Sequence, residues 1–355
     1  MNKKSLSANQ KIHNHLLKFL SYKKIFKIYS NFVKQVETNG KSDKIGVAVS
    51  GGPDSLALAF FTKCFSIKKN INCYFFLVDH DLRKDSQKEA KYVASKLKKF
   101  NIFIKLIKWK GKKPKSNIHH YARIHRYDLV LKNCKKMKIK KLLLGHHQDD
   151  LIENFFIRLF RGSGLTGLSS MSENVSYNDE MRVIRPFLNI KKNQLKFVTL
   201  NYFKTYIKDP SNEDEKFLRI KVRKYREKMK EEGFNTSNIV KTVNNLMLAN
   251  KALNFYKNKA LYKYVSFVNK NKCLVNQEIL TNEAQEIIFK SFSDILSLVS
   301  GKYYPPRSKK IISLLKRLRG NKYNKSTLGG CVIEKKDSFI SISKEQKGRK
   351  MSLRL

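Results

Sequence analysis

A strand-like apolar run at 45–49 passes directly into Ser50-Gly51-Gly52-Pro53-Asp54-Ser55, and a helix-like LALAFF follows at 56–61. Two glycines let a ligand approach the main chain closely, and the N–H groups at a helix start form a nest for an anion. Ser50 and Ser55 add hydroxyl donors, and Asp54 stands where it could hold a magnesium ion bridging phosphates. No GK[ST] follows, so this phosphate site is not a Walker loop. Further strands are expected at 73–78, 102–107 and 142–144, with helices between them. Ser86-Gln87-Lys88-Glu89 has the form of a capping box, and Ala90, Val93, Ala94 and Leu97 recur behind it at the helical period. A helix is also expected over 121–137. Short apolar strands alternating with helices predict an α/β fold, an open parallel sheet with helices on both faces, over 41–226.

Gly145-His146-His147-Gln148-Asp149-Asp150 and then Glu153 form a second polar cluster. With a helix starting near His147, Asp149, Asp150 and Glu153 fall within about one turn. His146 then sits at the helix mouth, facing the phosphate loop, and Ile152, Phe155, Phe156 and Leu159 are expected to bury the opposite face. Three readings stand side by side: a magnesium and acid/base site, a zinc site, and plain capping of the helix N-terminus by Asp149 and Asp150.

Elsewhere, 1–40 reads as a basic amphipathic helical leader, either packed on the next domain or touching RNA. Residues 163–180 read as a Gly/Ser/Asn-rich loop. A helical region is expected over 227–300, followed at 301–355 by a small basic α+β region with strand-like runs at 331–334 and 339–343. The chain of 355 residues has 75 Lys+Arg against 28 Asp+Glu, a net charge of +47, which points to a polyanionic partner such as nucleic acid. Lysine bias in the genome is the competing source of that charge. Five cysteines without CxxC or zinc spacing fit a reducing, cytoplasmic setting. No stretch reaches the ~18 apolar residues of a membrane span.

SGGPDS resembles the pyrophosphate loop of the N-type ATP pyrophosphatases, which adenylate an oxygen and release pyrophosphate. Three further segments narrow the resemblance. They are Val78-Asp79-His80-Asp81-Leu82-Arg83, Ala122-Arg123-Ile124-His125-Arg126-Tyr127, and GHHQDD continuing into Leu159-Phe160-Arg161-Gly162-Ser163-Gly164. With Arg185-Pro186-Phe187 and Asp209-Pro210-Ser211-Asn212 they are similar to the tRNA(Ile)-lysidine synthetases, over about 45–226. YPPR at 304–307 and TLGGC at 327–331 resemble the C-terminal region of some members. One departure is Ile220, where the family often has asparagine.

The resemblance implies that ATP adenylates C2–O of the wobble cytidine in isoleucine tRNA with a CAU anticodon, and that free L-lysine then displaces AMP. It implies ATP contacts at 50–55, His80 and Gly145, magnesium on Asp54 and Asp150, and catalytic roles for Asp54, Arg123, His146, Asp149, Asp150 and Glu153. Asp149, Asp150 or His146 is the candidate base. Arg126, Arg161, Arg185, Arg219, Arg223 and Arg226 are expected on tRNA phosphates. The sequence leaves the oligomeric state open, with a homodimer as one option. The alternative is a tRNA thiolase of the same fold, which would need a reactive cysteine.

Overall fold

The computed structural model describes residues 7–38, 40, 42–79, 85–109, 118–178, 181–207, 218–302, 304–320 and 323–346. His80 and 209–212 lie outside these residues, as does the side chain of Arg123. Two compact units are present, 1–246 and 247–355.

The first unit begins with α1 (Ala8–Leu20) and α2 (Lys23–Glu37). Both are amphipathic. Leu16, Leu20, Ile25, Ile28, Phe32 and Val36 are buried in the same core as the sheet that follows, so the leader is part of this unit. The alternating section then runs β1 (Lys44–Val49), α3 (Pro53–Lys69), β2 (Asn72–Asp79), α4 (Ser86–Lys98), β3 (Ile104–Lys108), α5 (Ile118–Lys136), β4 (Lys141–Leu143) and α6 (Gln148–Leu159). After it come α7 (Leu165–Leu168), β5 (Asn174–Asn178), β6 (Met181–Ile184), α8 (Lys192–Phe203) and α9 (Leu218–Glu231). The sheet order is β3-β2-β1-β4-β6-β5. All pairs are parallel except β5, which runs antiparallel on β6 at the edge.

Alternation along the strands feeds two cores. Val47, Phe75, Leu77 and Leu143 pack with the helices of the leader, α3, α4 and α8. Phe76, Leu142 and Leu144 meet Val130, Leu131 and Cys134 of α5 on the other face. Strands buried on both faces need the near-continuous apolar runs that the sequence shows.

Several local expectations are corrected. Residues 163–180 contain α7 and β5 rather than only loop. Ser86 does not cap α4: the N-cap is Asp85, and among the described residues no side chain caps the helix and Ser86 Oγ is buried without a partner. On α6, Ile152 is buried as expected, but Phe155 and Phe156 are only half-buried and Leu159 is 45% exposed.

The second unit lies beyond Leu246, within α10 (Thr236–Tyr264). It holds β7 (Val265–Asn269), β8 (Lys272–Asn276), α11 (Ile279–Asn282), α12 (Gln285–Ser300), α13 (Ser308–Arg319), β9 (Lys325–Leu328), β10 (Cys331–Lys335) and β11 (Phe339–Lys344). The β7–β8 hairpin interrupts the stretch expected to be helical to 300. An antiparallel sheet of order β7-β8-β11-β10-β9 carries Cys273, Val275, Ile333, Ile340 and Ile342 against Phe292, Ile295, Leu314 and Leu318. No helix among the described residues is long and apolar enough to cross a membrane.

Candidate functional site

The chain leaves β1 for β2 on one side and reaches β4 on the other. The carboxyl ends of β1 and β4 therefore flank the switch point where open α/β sheets bind ligands. Both singled-out segments follow these two strands. Gly51 has φ +84°, a left-handed conformation that a side chain would strain, and a Cβ there would lie 2.8 Å from Val93 Cγ2. Gly52 is the N-cap of α3, with Pro53 in the first turn.

The loop is braced from within. Ser50 N–H donates to Ser55 Oγ at 3.1 Å, and Ser55 Oγ donates to the Gly52 carbonyl at 2.9 Å. Ser55 thus spends its proton on the turn, so an anion at this loop would meet mainly main-chain N–H groups. Thr199 Oγ1 of α8 donates to the Pro53 carbonyl at 2.6 Å, and Ile207 N–H to the Gly51 carbonyl at 3.0 Å. Neither tie was visible in the sequence.

Gly145 brings the second segment onto this loop. A Cβ at Gly145 would sit 3.2 Å from the Asp54 carbonyl carbon and oxygen and 3.3 Å from Ser55 N, so only glycine fits without a shift. Two residues on, His147 caps α6: its Nδ1 accepts the Asp150 N–H at 3.3 Å, while Asp150 Oδ2 accepts the His147 N–H at 3.1 Å. The imidazole facing the loop carboxylate therefore belongs to His147, with Nε2 3.4 Å from Asp54 Oδ2 and 3.5 Å from Asp150 Oδ2. His147 is 2% exposed. Burial opposes its charge, but the hydrogen bond to Asp54 and the carboxylates of Asp150, Asp54 and Asp149 outweigh it and raise its pKa. The signal that could have found His147 was its place immediately before the helix.

His146 takes another partner: Arg185 Nε donates to His146 Nδ1 at 3.3 Å, and Arg185 Nη1 to the Ser172 carbonyl at 2.9 Å. Three expected tRNA contacts lie on α9 and face the carboxylates of α6. Arg219 Nε meets Glu153 Oε2 and Arg219 Nη2 meets Asp150 Oδ1, each at 2.6 Å. Arg223 Nε donates to Glu153 Oε1 at 2.6 Å, and Arg226 lies 3.3 Å from Asp149. Glu153 is 1% exposed. Burial pushes the Asp150 carboxyl up, but His147 and Arg219 hold it down at about 2. Ile220 is buried beside these arginines on α9. Arg126 and Arg161 are exposed, on α5 and just after α6.

Asp54 Oδ1 is buried and has no hydrogen-bond partner among the described residues. A buried carboxylate oxygen without a donor is costly, and a hard cation beside the loop would satisfy it, so the residues fit magnesium on Asp54. Asp150 has both oxygens engaged by Arg219 and the cap. Among the described residues no group of three or more His, Cys, Asp or Glu is placed to hold a metal, so the zinc reading has no site there. Four cysteines are buried and Cys73 is half-buried. Burial pushes Cys73, Cys134 and Cys273 up to about 12 and raises Cys64 and Cys331, so all five are thiols at neutral pH.

Residues 22–228 match the PP-loop domain family ATP_bind_3. The chain is 32% identical over 326 residues to tRNA(Ile)-lysidine synthase of Orientia tsutsugamushi (strain Boryong), covering 89% of this chain and 73% of that one. It is 31% identical over 307 residues to tRNA(Ile)-lysidine synthase of Wolbachia sp. subsp. Brugia malayi (strain TRS), covering 86% and 71%. Among solved structures, the U34-tRNA thiolase NcsA from Methanococcus maripaludis with its [4Fe-4S] cluster aligns with a TM-score of 0.54 at 17% identity, over 63% of this chain and 80% of that one. That likeness concerns the fold.

Proposed function

The chain belongs to the PP-loop ATP-binding family and, within it, to the tRNA(Ile)-lysidine synthases, ATP-dependent ligases; from there we propose that it joins free L-lysine to C2 of the wobble cytidine of isoleucine tRNA with a CAU anticodon. The observation that carries this reading is the juxtaposition at the switch point. A main-chain anion nest at 51–55 is packed against a segment that supplies two imidazoles and three carboxylates.

In the first half-reaction the cytidine C2 oxygen attacks the α-phosphorus of ATP and pyrophosphate leaves. The N–H groups at the start of α3 hold phosphate oxygens and stabilise the charge that develops there. Asp54 would hold magnesium, which when bound neutralises phosphate charge. In the second half-reaction the lysine ε-amine attacks C2, the C–N bond forms, and the adenylated oxygen departs with AMP.

The ammonium, with a pKa of ~10.4 in water, must lose a proton before attack. Asp150 is too acidic to take it and serves as a fixed negative charge. Asp149, partly exposed at the helix mouth, is the proposed acceptor. Exposed Arg126 and Arg161 are proposed to hold tRNA phosphates, with Arg123 and His80 at the nucleotide. The setting is proposed to be the cytoplasm.

The test is incubation with tRNA, ATP and labelled lysine. Label entering the RNA with release of AMP and pyrophosphate is the expected result. Sulfur incorporation in place of lysine would make the protein a thiolase, a reading that five protonated thiols disfavour.

A further inference from the structure

His146 had the chemistry of a general base, and Arg185 was expected on an RNA phosphate. Their contact gives both a different task. A guanidinium is always protonated and offers only donors. Its Nε–H points at His146 Nδ1 over 3.3 Å, so Nδ1 must present its lone pair. An imidazolium would put a second N–H against the first, beside a fixed cation. A neutral ring in this contact carries its proton on Nε2, although the Asp150 carboxylate, which interacts electrostatically with His146, favours the charged form.

The guanidinium is itself held in place. Arg185 Nη1 donates to the Ser172 carbonyl at 2.9 Å, and the Arg185 N–H donates to the Glu173 carbonyl at 2.7 Å. Arg185 follows β6 directly, and His146 lies three residues beyond the end of β4, on neighbouring parallel strands paired Leu143 to Ile184. The Leu144 N–H to Ile184 carbonyl bond of 2.9 Å extends that register toward the site. His146 is also joined to Gly145, whose Cα lies against the Asp54–Ser55 main chain that carries the phosphate nest.

We propose that Arg185 is a positioning residue that locks His146 as the neutral Nε2–H tautomer, so that His146 donates a hydrogen bond to the nucleotide's developing negative charge instead of accepting the lysine proton. The inference rests on the ligase reading for its substrate, while the tautomer itself can be observed without turnover.

The experiment has a spectroscopic and a kinetic arm, both on the full chain. In protein labelled with ¹⁵N-histidine, the resonances lost in His146→Gln identify the ring. They should show the Nε2–H neutral pattern at pH 7, and Arg185→Gln should mix the tautomers. An imidazolium or Nδ1–H pattern in the unaltered protein overturns the proposal.

In single-turnover adenylation, removing an electrostatic donor of this kind should lower the rate by about 100-fold in His146→Ala. His146→Gln, whose amide N–H can occupy the place of Nε2–H, should recover most of that loss, and His146→Asn should not. Equal loss in the Gln and Ala variants, with lysine incorporation intact in the unaltered protein, rejects the donor role. Arg185→Gln should lower kcat with KM for tRNA within about twofold, since its effect is on transition-state stabilisation. A raised KM for tRNA at unchanged kcat would instead make Arg185 a phosphate contact. If Arg185→Gln fails to fold, the three His146 variants still decide the matter. Absence of lysine incorporation in the unaltered protein, with the tautomer confirmed, would count against the ligase reading alone.

Discussion

The two carboxylate oxygens of Asp54 have different surroundings: Oδ2 faces His147 Nε2, and Oδ1 is buried with no donor among the described residues. Asp54→Asn keeps the shape but removes the charge that the proposed cation at Oδ1 would need. Pyrophosphate release should fall by at least about 100-fold, while tRNA affinity by filter binding stays within about twofold. Unaltered turnover would mean that this oxygen plays no part. Gly145→Ala tests the closeness of the two segments, because its Cβ would press on main chain at 3.2 Å. Displacing the nest by a few tenths of an ångström should raise KM for ATP about 10-fold with near-unchanged melting, since small misplacements are amplified in positioned reactions. Asp150 makes the site sensitive to acid. Its folded pKa of about 2 lies below its ordinary value of 3.8, so its pairing stabilises fully above that ordinary value and is lost as pH falls toward 2. Thermal melts between pH 6 and 3 should show stability declining at the acid end, and Asp150→Asn should flatten that decline.

Helices α6 and α9 are joined through Glu153, whose two oxygens receive Arg219 and Arg223. Glu153→Gln leaves both guanidiniums facing a neutral amide that offers an N–H toward one of them. Breaking a buried pair costs about 3–5 kcal/mol, and the partial exposure of the arginines brings the expectation to about 2–3 kcal/mol. At roughly 2–4 °C per kcal/mol for a unit of this size, calorimetry should record a drop of several degrees. A melting temperature unchanged by Glu153→Gln would show that the pair carries no stability. The parts of this arrangement were legible and their partnership was not. Asp149, Asp150 and Glu153 announce themselves by helical spacing, and Arg219 and Arg223 by motif, but pairs separated by 66 and 70 residues leave no mark on local pattern. The same limit explains the strands. Buried β1, β2 and β4 show as apolar runs, whereas β5 (NVSYN) is a polar edge strand and β7 follows α10 without a glycine or proline to mark the change. The leader is a middle case: its amphipathic period is visible, yet only the fold shows Phe32 packed among the rings of Tyr29, Phe61, Phe65 and Phe187.

At the scale of the whole molecule, the net charge of +47 has two competing origins, selection for a polyanion and a lysine-rich composition, and their consequences differ in a measurable way. Binding driven by phosphate neutralisation releases counterions, so the logarithm of affinity falls linearly with the logarithm of salt. Six to ten phosphate contacts imply a loss of about 10³–10⁵ in affinity between 50 and 200 mM salt. Titrations of isoleucine tRNA bearing CAU against a non-cognate tRNA across that range should give steep slopes of similar size for both, because phosphate contacts position the RNA without reading it. If the proposed reaction holds, discrimination should appear in the adenylation rate, where the wobble cytidine would enter the crevice between β1 and β4 and meet the loop at 51–55. Substituting Arg126 and Arg161 together should reduce the slope by about 1–2 without changing which tRNA is modified. A shallow slope with strong, salt-resistant preference for one tRNA at the binding step would mean that base contacts dominate affinity. The surplus of lysine would then be a property of composition alone.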